Sequence, residues 1–261
     1  VGVQLEKPAG LRLDLPVEAE QHLRATARLR ALRAENEARF GQHPWPFLCD
    51  AVYTLDPFAR QEKGGGIRKY PGATTRDPAP HCSCVEGGCV NYLHHIVNMW
   101  YTYPRTVWPK SRRLLTSWTM IALHVWLARY RPAQMIAFVS QKQGQNEDEG
   151  AAELVKRARF IEDHLPVEVQ PRETHRTWCR IYYPHNGSTI LGIAQGQNQL
   201  RQLAITAWFA DEFAFWERAG ETYAASIPAL EGGGRVALVS TANPGFMKQL
   251  VYDQWHVGGK C

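Results

Sequence analysis

No apolar run in this chain approaches the ~18 residues of a membrane-spanning helix. The longest candidate, Met120 to Leu127, is far too short and contains His124. Nothing at the start of the sequence reads as a secretory signal. The six cysteines (Cys49, Cys82, Cys84, Cys89, Cys179 and Cys261) are therefore expected to be free thiols or metal ligands in a reducing compartment, not a disulfide framework. There is no internal repeat and no low-complexity tract, which excludes a solenoid and argues against a disordered tail. Neither sign of charge dominates: the formal net charge is +5 with ten neutral histidines. That mild excess fits a polyanionic partner without requiring one. The chain begins at Val1 and not at Met, so it is expected to be a trimmed piece.

What is present is an ordinary globular composition, 44% hydrophobic and 21% charged over 261 residues. This length suits one large α/β domain with an attached arm. Residues 17–40 are rich in Ala, Leu, Arg and Glu and lack Pro and Gly, which predicts a surface helix ended by His43-Pro-Trp-Pro46. Residues 61–90 carry Gly64-Gly-Gly66, Pro71-Gly72 and Pro78-Ala-Pro80 and read as an irregular insertion. The division expected is an arm over 1–60, the insertion over 61–90 and an α/β core over 91–261. A regular pattern then follows. Helices are predicted over 90–100, 114–130, 149–164 and 222–229, and strands over 105–108, 135–139, 204–210 and 236–239. A hairpin over 178–193 turns at Pro184-His-Asn-Gly187. Alternating strands and helices imply a mostly parallel sheet covered on both faces.

Three segments carry chemistry. In Ala204-Ile-Thr-Ala-Trp-Phe-Ala-Asp-Glu212 an apolar strand runs into two acids. The carboxyl end of such a strand opens on the crevice where α/β sheets bind ligands. Asp211 can hold Mg²⁺ there, and Glu212, on the other face by the period-two rule, can polarise an attacking water. Pro109-Lys-Ser-Arg-Arg-Leu-Leu-Thr-Ser117 lies between a strand and a helix, where a phosphate loop belongs. It has no glycine, and its lysine stands at the front of the loop. Lys110 is long enough to reach phosphates from either side, and Ser117 or the adjacent Thr116 supplies a hydroxyl for the metal. Val236-Ala-Leu-Val-Ser-Thr-Ala-Asn243 is a further buried strand ending in small polar residues that can sense a γ-phosphate or orient water. Each piece alone also describes a solvated strand end or a basic surface turn. Their order, a basic loop, an acid strand and a small-polar strand, argues for an NTPase.

On these residues the sequence resembles the ATPase domain of the large terminase subunit of tailed double-stranded DNA phages, over roughly residues 90–250. Lys110-Ser-Arg-Arg-Leu-Leu-Thr-Ser117 looks like that family's deviant phosphate loop (Walker A), Ile205 to Glu212 like its acid strand (Walker B), and Ser240-Thr-Ala-Asn243 like its coupling motif. The resemblance implies a P-loop NTPase of the additional-strand type. It also implies a motor, working in the host cytoplasm, that drives double-stranded DNA into a procapsid with ATP and Mg²⁺. The implied partners are a portal protein, a small terminase subunit and sister subunits in a ring, commonly of five. A C-terminal nuclease domain belongs to the family, and the residues after the coupling motif are too few to hold one. Lys110, Ser111, Arg112, Arg113, Thr116, Ser117, Asp211 and Asn243 are the expected nucleotide contacts, with Ser117 and Asp211 on the metal. Glu212, Lys110, Arg112 and Arg157 are the expected catalytic groups. Arg112 would act in cis, and Arg157 resembles the family's trans-acting arginine, with Arg159 as the alternative.

Lys142, Lys156, Arg172, Arg176 and Arg201 are candidate contacts to DNA phosphates. Tyr101 and Tyr103 are candidates for stacking on adenine, or for the core. Cys82, Cys84 and Cys89, with Cys49, His94 or His95, offer a tetrahedral Zn²⁺ set, against the plainer reading of free loop thiols. Two other functions fit parts of the pattern: a helicase-like P-loop motor, and a non-enzymatic zinc-containing DNA-binding or assembly protein.

Overall fold

The computed structural model describes residues 17–55, 66–71, 92–196, 200 and 203–253. Two helices open it, α1 (Val17–Gln42) and α2 (Pro44–Ala51), followed by a small antiparallel hairpin of β1 (Tyr53–Leu55) and β2 (Ile67–Lys69). The α/β body comprises α3 (Tyr92–Thr102), β3 (Arg105–Pro109), α4 (Thr116–Tyr130), β4 (Met135–Ser140) and α5 (Gly150–Asp163). It continues through β5 (His175–Thr177), β6 (Arg180–Tyr183), β7 (Ser188–Ala194), β8 (Ala207–Ala210), α6 (Ala219–Glu231) and β9 (Arg235–Ser240). Seven strands form one sheet in the order β3-β9-β8-β4-β7-β6-β5. The first five are parallel, and β6 and β5 extend the sheet as antiparallel strands. The acid-bearing β8 does not touch the loop-bearing β3, because β9 lies between them. That intervening strand is the additional-strand arrangement expected from the sequence.

Two-fold alternation along the parallel strands builds two cores. Ile136 and Phe138 of β4, Ala207 and Phe209 of β8, and Ala237 and Val239 of β9 face the layer of α4 and α5. Ala137 and Val139, Trp208 and Ala210, and Val236 and Leu238 face the opposite layer, with Phe213, Trp216 and Met247. Strands buried on both faces read as continuous apolar runs, which is why they were legible. Helix α4 lies between the sheet and the outer helices, so Met120, Ile121, Ala122, Leu123 and Val125 are all buried and its apolar character runs round the whole circumference. Arg131 leaves the helical conformation and Pro132 follows, ending the helix. The ion pair Arg129–Glu162 at 2.5 Å, with the Tyr183 hydroxyl donating to Glu162 at 2.8 Å, locks α4 to α5 and β6.

Three features differ from the sequence expectation. His43-Pro-Trp-Pro46 ends α1 but starts α2: His43 caps the new helix by accepting from Trp45 N at 3.2 Å, and Pro44 occupies a first-turn position that needs no N–H. Residues 67–69, inside the segment read as irregular, form β2. The hairpin predicted over 178–193 gains a third strand, β5, because the chain reverses again at Trp178-Cys179. The N-terminal helices also share the core of the body: Phe40, Phe47 and Leu48 belong to the same buried cluster as α4.

His124 sits fully buried at the centre of α4, its ring stacked on Phe209 at 5.9 Å. Its Nδ1 donates to Met120 O at 2.7 Å. Burial lowers its pKa to about 4, against the pull of the Met120 carbonyl and helped by Arg235. A folded-state pKa below the ordinary 6.5 means that the stability is present above pH 6.5 and is lost as pH falls through 4. The loss is about 3 kcal/mol at ~1.4 kcal/mol per pKa unit. In urea melts from pH 7 to pH 4, the stability gap between wild type and His124→Leu should narrow by that amount. A gap independent of pH would refute a buried neutral imidazole.

Candidate nucleotide site

The carboxyl ends of β3, β9 and β8 lie side by side: Pro109 pairs with Ser240, and Ala210 with Leu238. Three loops leave the sheet there. Lys110 N donates to Ser240 O at 2.9 Å, so the loop after β3 starts tied to β9. The loop then curls through two left-handed residues, Arg113 (φ 65°) and Leu115 (φ 54°), before α4 begins. Glycine normally takes such positions. Here ordinary side chains hold them at about 1–3 kcal/mol each. The loop therefore turns left-handed at two positions without a glycine. Of the four non-glycine residues with positive φ among the described residues, three are at this site: Arg113, Leu115 and Glu212 (φ 51°). Concentrated strain of this kind marks functional segments.

The side chains meet in pairs. Ser117 Oγ donates to Asp211 Oδ1 at 2.9 Å. Lys110 Nζ lies 3.3 Å from Glu212 Oε1. Glu212 Oε2 accepts from Ser240 Oγ at 3.4 Å and from Thr241 Oγ1 at 3.3 Å. Thr116, the alternative hydroxyl, turns away and donates to Leu114 O at 3.5 Å, so Ser117 is the one facing the acid. Burial raises the Asp211 carboxyl above its ordinary range. The Ser117 hydroxyl, Arg157 and Lys110 pull it back, and Glu212 adds to the rise. A buried carboxylate with incomplete compensation beside a hydroxyl offers hard oxygen donors that fit Mg²⁺.

A cleft of about 580 Å³ opens beside this array. Lys110, Arg113, Thr116, Ser117, Trp118 and Arg157 are among its lining. Arg157 stands over the Trp118 ring at 5.7 Å and is held by its neighbour Glu153 one turn earlier. It thus lies on the cleft of its own chain. Arg159 points elsewhere, paired with Glu147 at 2.8 Å and with Thr177 O.

No protein-family model matches the chain, and no curated protein matches it. Among solved structures it is similar to the large terminase ATPase domain of Thermus phage P74-26, with a TM-score of 0.45 and 13% identity over 61% of this chain and 67% of that one. A single-site mutant of that domain gives 0.46 and 14% over 61% and 68%. The large terminase of the thermophilic bacteriophage D6E in complex with ADP gives 0.46 and 12% over 62% of this chain; the match spans only 41% of that protein.

Several expected site residues fall outside the cleft. Ser111 and Arg112 are exposed on the loop and are not part of its lining. Asn243 donates to Ala214 O at 3.1 Å and lines a separate apolar groove with Pro244 and Met247. Tyr101 and Tyr103 precede β3 and so sit at the amino end of the sheet, opposite the cleft. Tyr101 packs on His43 and Trp126 there. Of the DNA candidates, Lys156 pairs with Asp148, Arg176 with Asp163 and Arg172 with Glu37, while Lys142 is exposed. Arg201 lies outside the described residues, as do Cys82, Cys84 and Cys89. Cys49 is buried within α2, and His94 packs on Trp45. Sequence reasoning missed Arg68 and Lys69, which line the cleft from β2. No local pattern marks them, because they reach it only through pairing with β1.

Proposed function

We propose that this chain is an ATP hydrolase, the motor domain of a viral terminase large subunit that translocates double-stranded DNA into a procapsid. The observation that carries the proposal is the convergence of Lys110, Ser117, Asp211 and Glu212 at the carboxyl ends of three adjacent strands. The choice among P-loop motors rests on the lysine-first loop, the acid strand and the Ser240-Thr-Ala-Asn243 segment taken together.

The substrate's phosphates would lie against the start of α4, where unpaired N–H groups and the helix dipole favour anions. Lys110 would exchange its ion pair with Glu212 for the β/γ-phosphates. Glu212, released but still held by Ser240 and Thr241, would then face the attacking water and accept its proton. Ser117 and Asp211 would hold Mg²⁺, which neutralises phosphate charge when bound. Arg157 is assigned a role in cis, supported by its place on the cleft of its own chain and by its pull on Asp211. Double-stranded DNA, a portal protein, the small terminase subunit and a homo-oligomeric ring in the host cytoplasm complete the proposed assembly.

Two measurements on the purified protein test the proposal together. Steady conversion of ATP to ADP and phosphate is expected, increased by double-stranded DNA of any sequence. The logarithm of the DNA binding constant should fall linearly with log salt, with a slope of roughly −0.9 per phosphate contacted. DNA binding without any hydrolysis would favour the non-enzymatic alternative instead.

A further inference from the structure

The cleft has a second wall that the phosphate loop does not account for. Arg68 and Lys69 line it from β2, together with the loop residues Lys110 and Arg113. This wall is fixed in place. Tyr70 N donates to Val52 O at 2.9 Å, and the Tyr70 hydroxyl is 2.9 Å from Thr119 Oγ1, with both residues buried. The hairpin is thereby fastened to the first turn of α4, the turn that carries Thr116 and Ser117. With Arg157, five cationic side chains line the cleft, and among the described residues the lining includes no carboxylate. Although Lys110 pairs with Glu212 and Arg157 with Glu153, cationic side chains contributed by three separate segments suit a ligand with several negative charges. A single small anion would be served by one segment alone.

We infer that Arg68 and Lys69 are polyphosphate-contacting residues that hold a nucleoside triphosphate together with Lys110. The β1–β2 hairpin is then the second half of the nucleotide site. The inference rests on the nucleotide-site reading above and adds the residues that would complete it. Asp211 and Glu212 are not among the residues lining this cleft, so the contribution of Arg68 and Lys69 is to binding rather than to water activation.

Calorimetric titration with ATP and with inorganic tripolyphosphate tests the inference, alongside steady-state hydrolysis. Both side chains are exposed, so truncating them leaves the core intact. Arg68→Ala and Lys69→Ala are each expected to weaken both ligands about tenfold, the loss of one charge-assisted hydrogen bond. KM for ATP should rise by a similar factor while kcat stays within about twofold, and Arg68→Lys and Lys69→Arg should restore most of the binding. If both alanine variants bind like wild type while Lys110→Ala does not, the hairpin inference is wrong and the site reading stands. If wild type binds neither ligand, the site reading itself fails. A fall in kcat with KM unchanged would also overturn the inference, by placing these residues in the chemical step.

Discussion

Glu212→Gln should hydrolyse ATP about 10²–10⁴-fold more slowly than wild type while binding it at least as tightly. The rate loss is the usual cost of removing a positioned general base. The retained binding follows from the contacts of this carboxylate. An amide oxygen can still accept from Ser240 and Thr241, so the turn after β8 keeps its shape. The amide cannot pair with Lys110 as the carboxylate does at 3.3 Å. Lys110 is then free for the phosphates, and a negative charge facing them is gone. Radiolabelled ATP hydrolysis with filter binding on the same preparation would check both halves. A variant that loses binding and turnover together would show that Glu212 holds the site together structurally.

Lys110→Ala should fail in the opposite way. Its Nζ is nearly enclosed, with the side chain only 11% exposed. Its removal takes away a charge-assisted contact worth about 1.5–3 kcal/mol to a phosphate. The Kd for ATP should rise about 10–100-fold, and kcat should fall as well because developing charge on the phosphates loses its cation. Both changes can be read from one titration of initial rate against ATP concentration. Wild-type hydrolysis by Lys110→Ala would refute the assignment of the loop.

The chain hid and displayed different parts of this site for physical reasons. Asp211 was legible because a strand buried on both faces is a continuous apolar run, and whatever follows it stands at the edge of the sheet. Glu212 was legible by position but not by direction. The two-residue alternation of a strand does not extend to it, because the backbone turns left-handed there and swings the carboxylate toward Lys110 and β9. The phosphate loop lacks the glycines that normally announce one. Its curl is held instead by Arg113 and Leu115, whose strain no composition rule reveals. Arg68 and Lys69 were invisible, since strands of three residues separated by a long connection leave no periodicity to detect. Asn243 stands three residues beyond the end of β9, where the strand pattern no longer sets direction, and it donates to Ala214 O beside a separate groove.

The Lys110–Glu212 contact pairs the group proposed for the phosphates with the group proposed for the attacking water, so binding and activation would be one exchange of partners. A crystal structure with Mg²⁺ and a non-hydrolysable ATP analogue tests this most directly. The account predicts Lys110 Nζ within hydrogen-bonding distance of the β- or γ-phosphate and out of contact with Glu212, with Ser117 and Asp211 at the metal. A nucleotide bound elsewhere, or Lys110 still paired with Glu212 beside an occupied cleft, would contradict it.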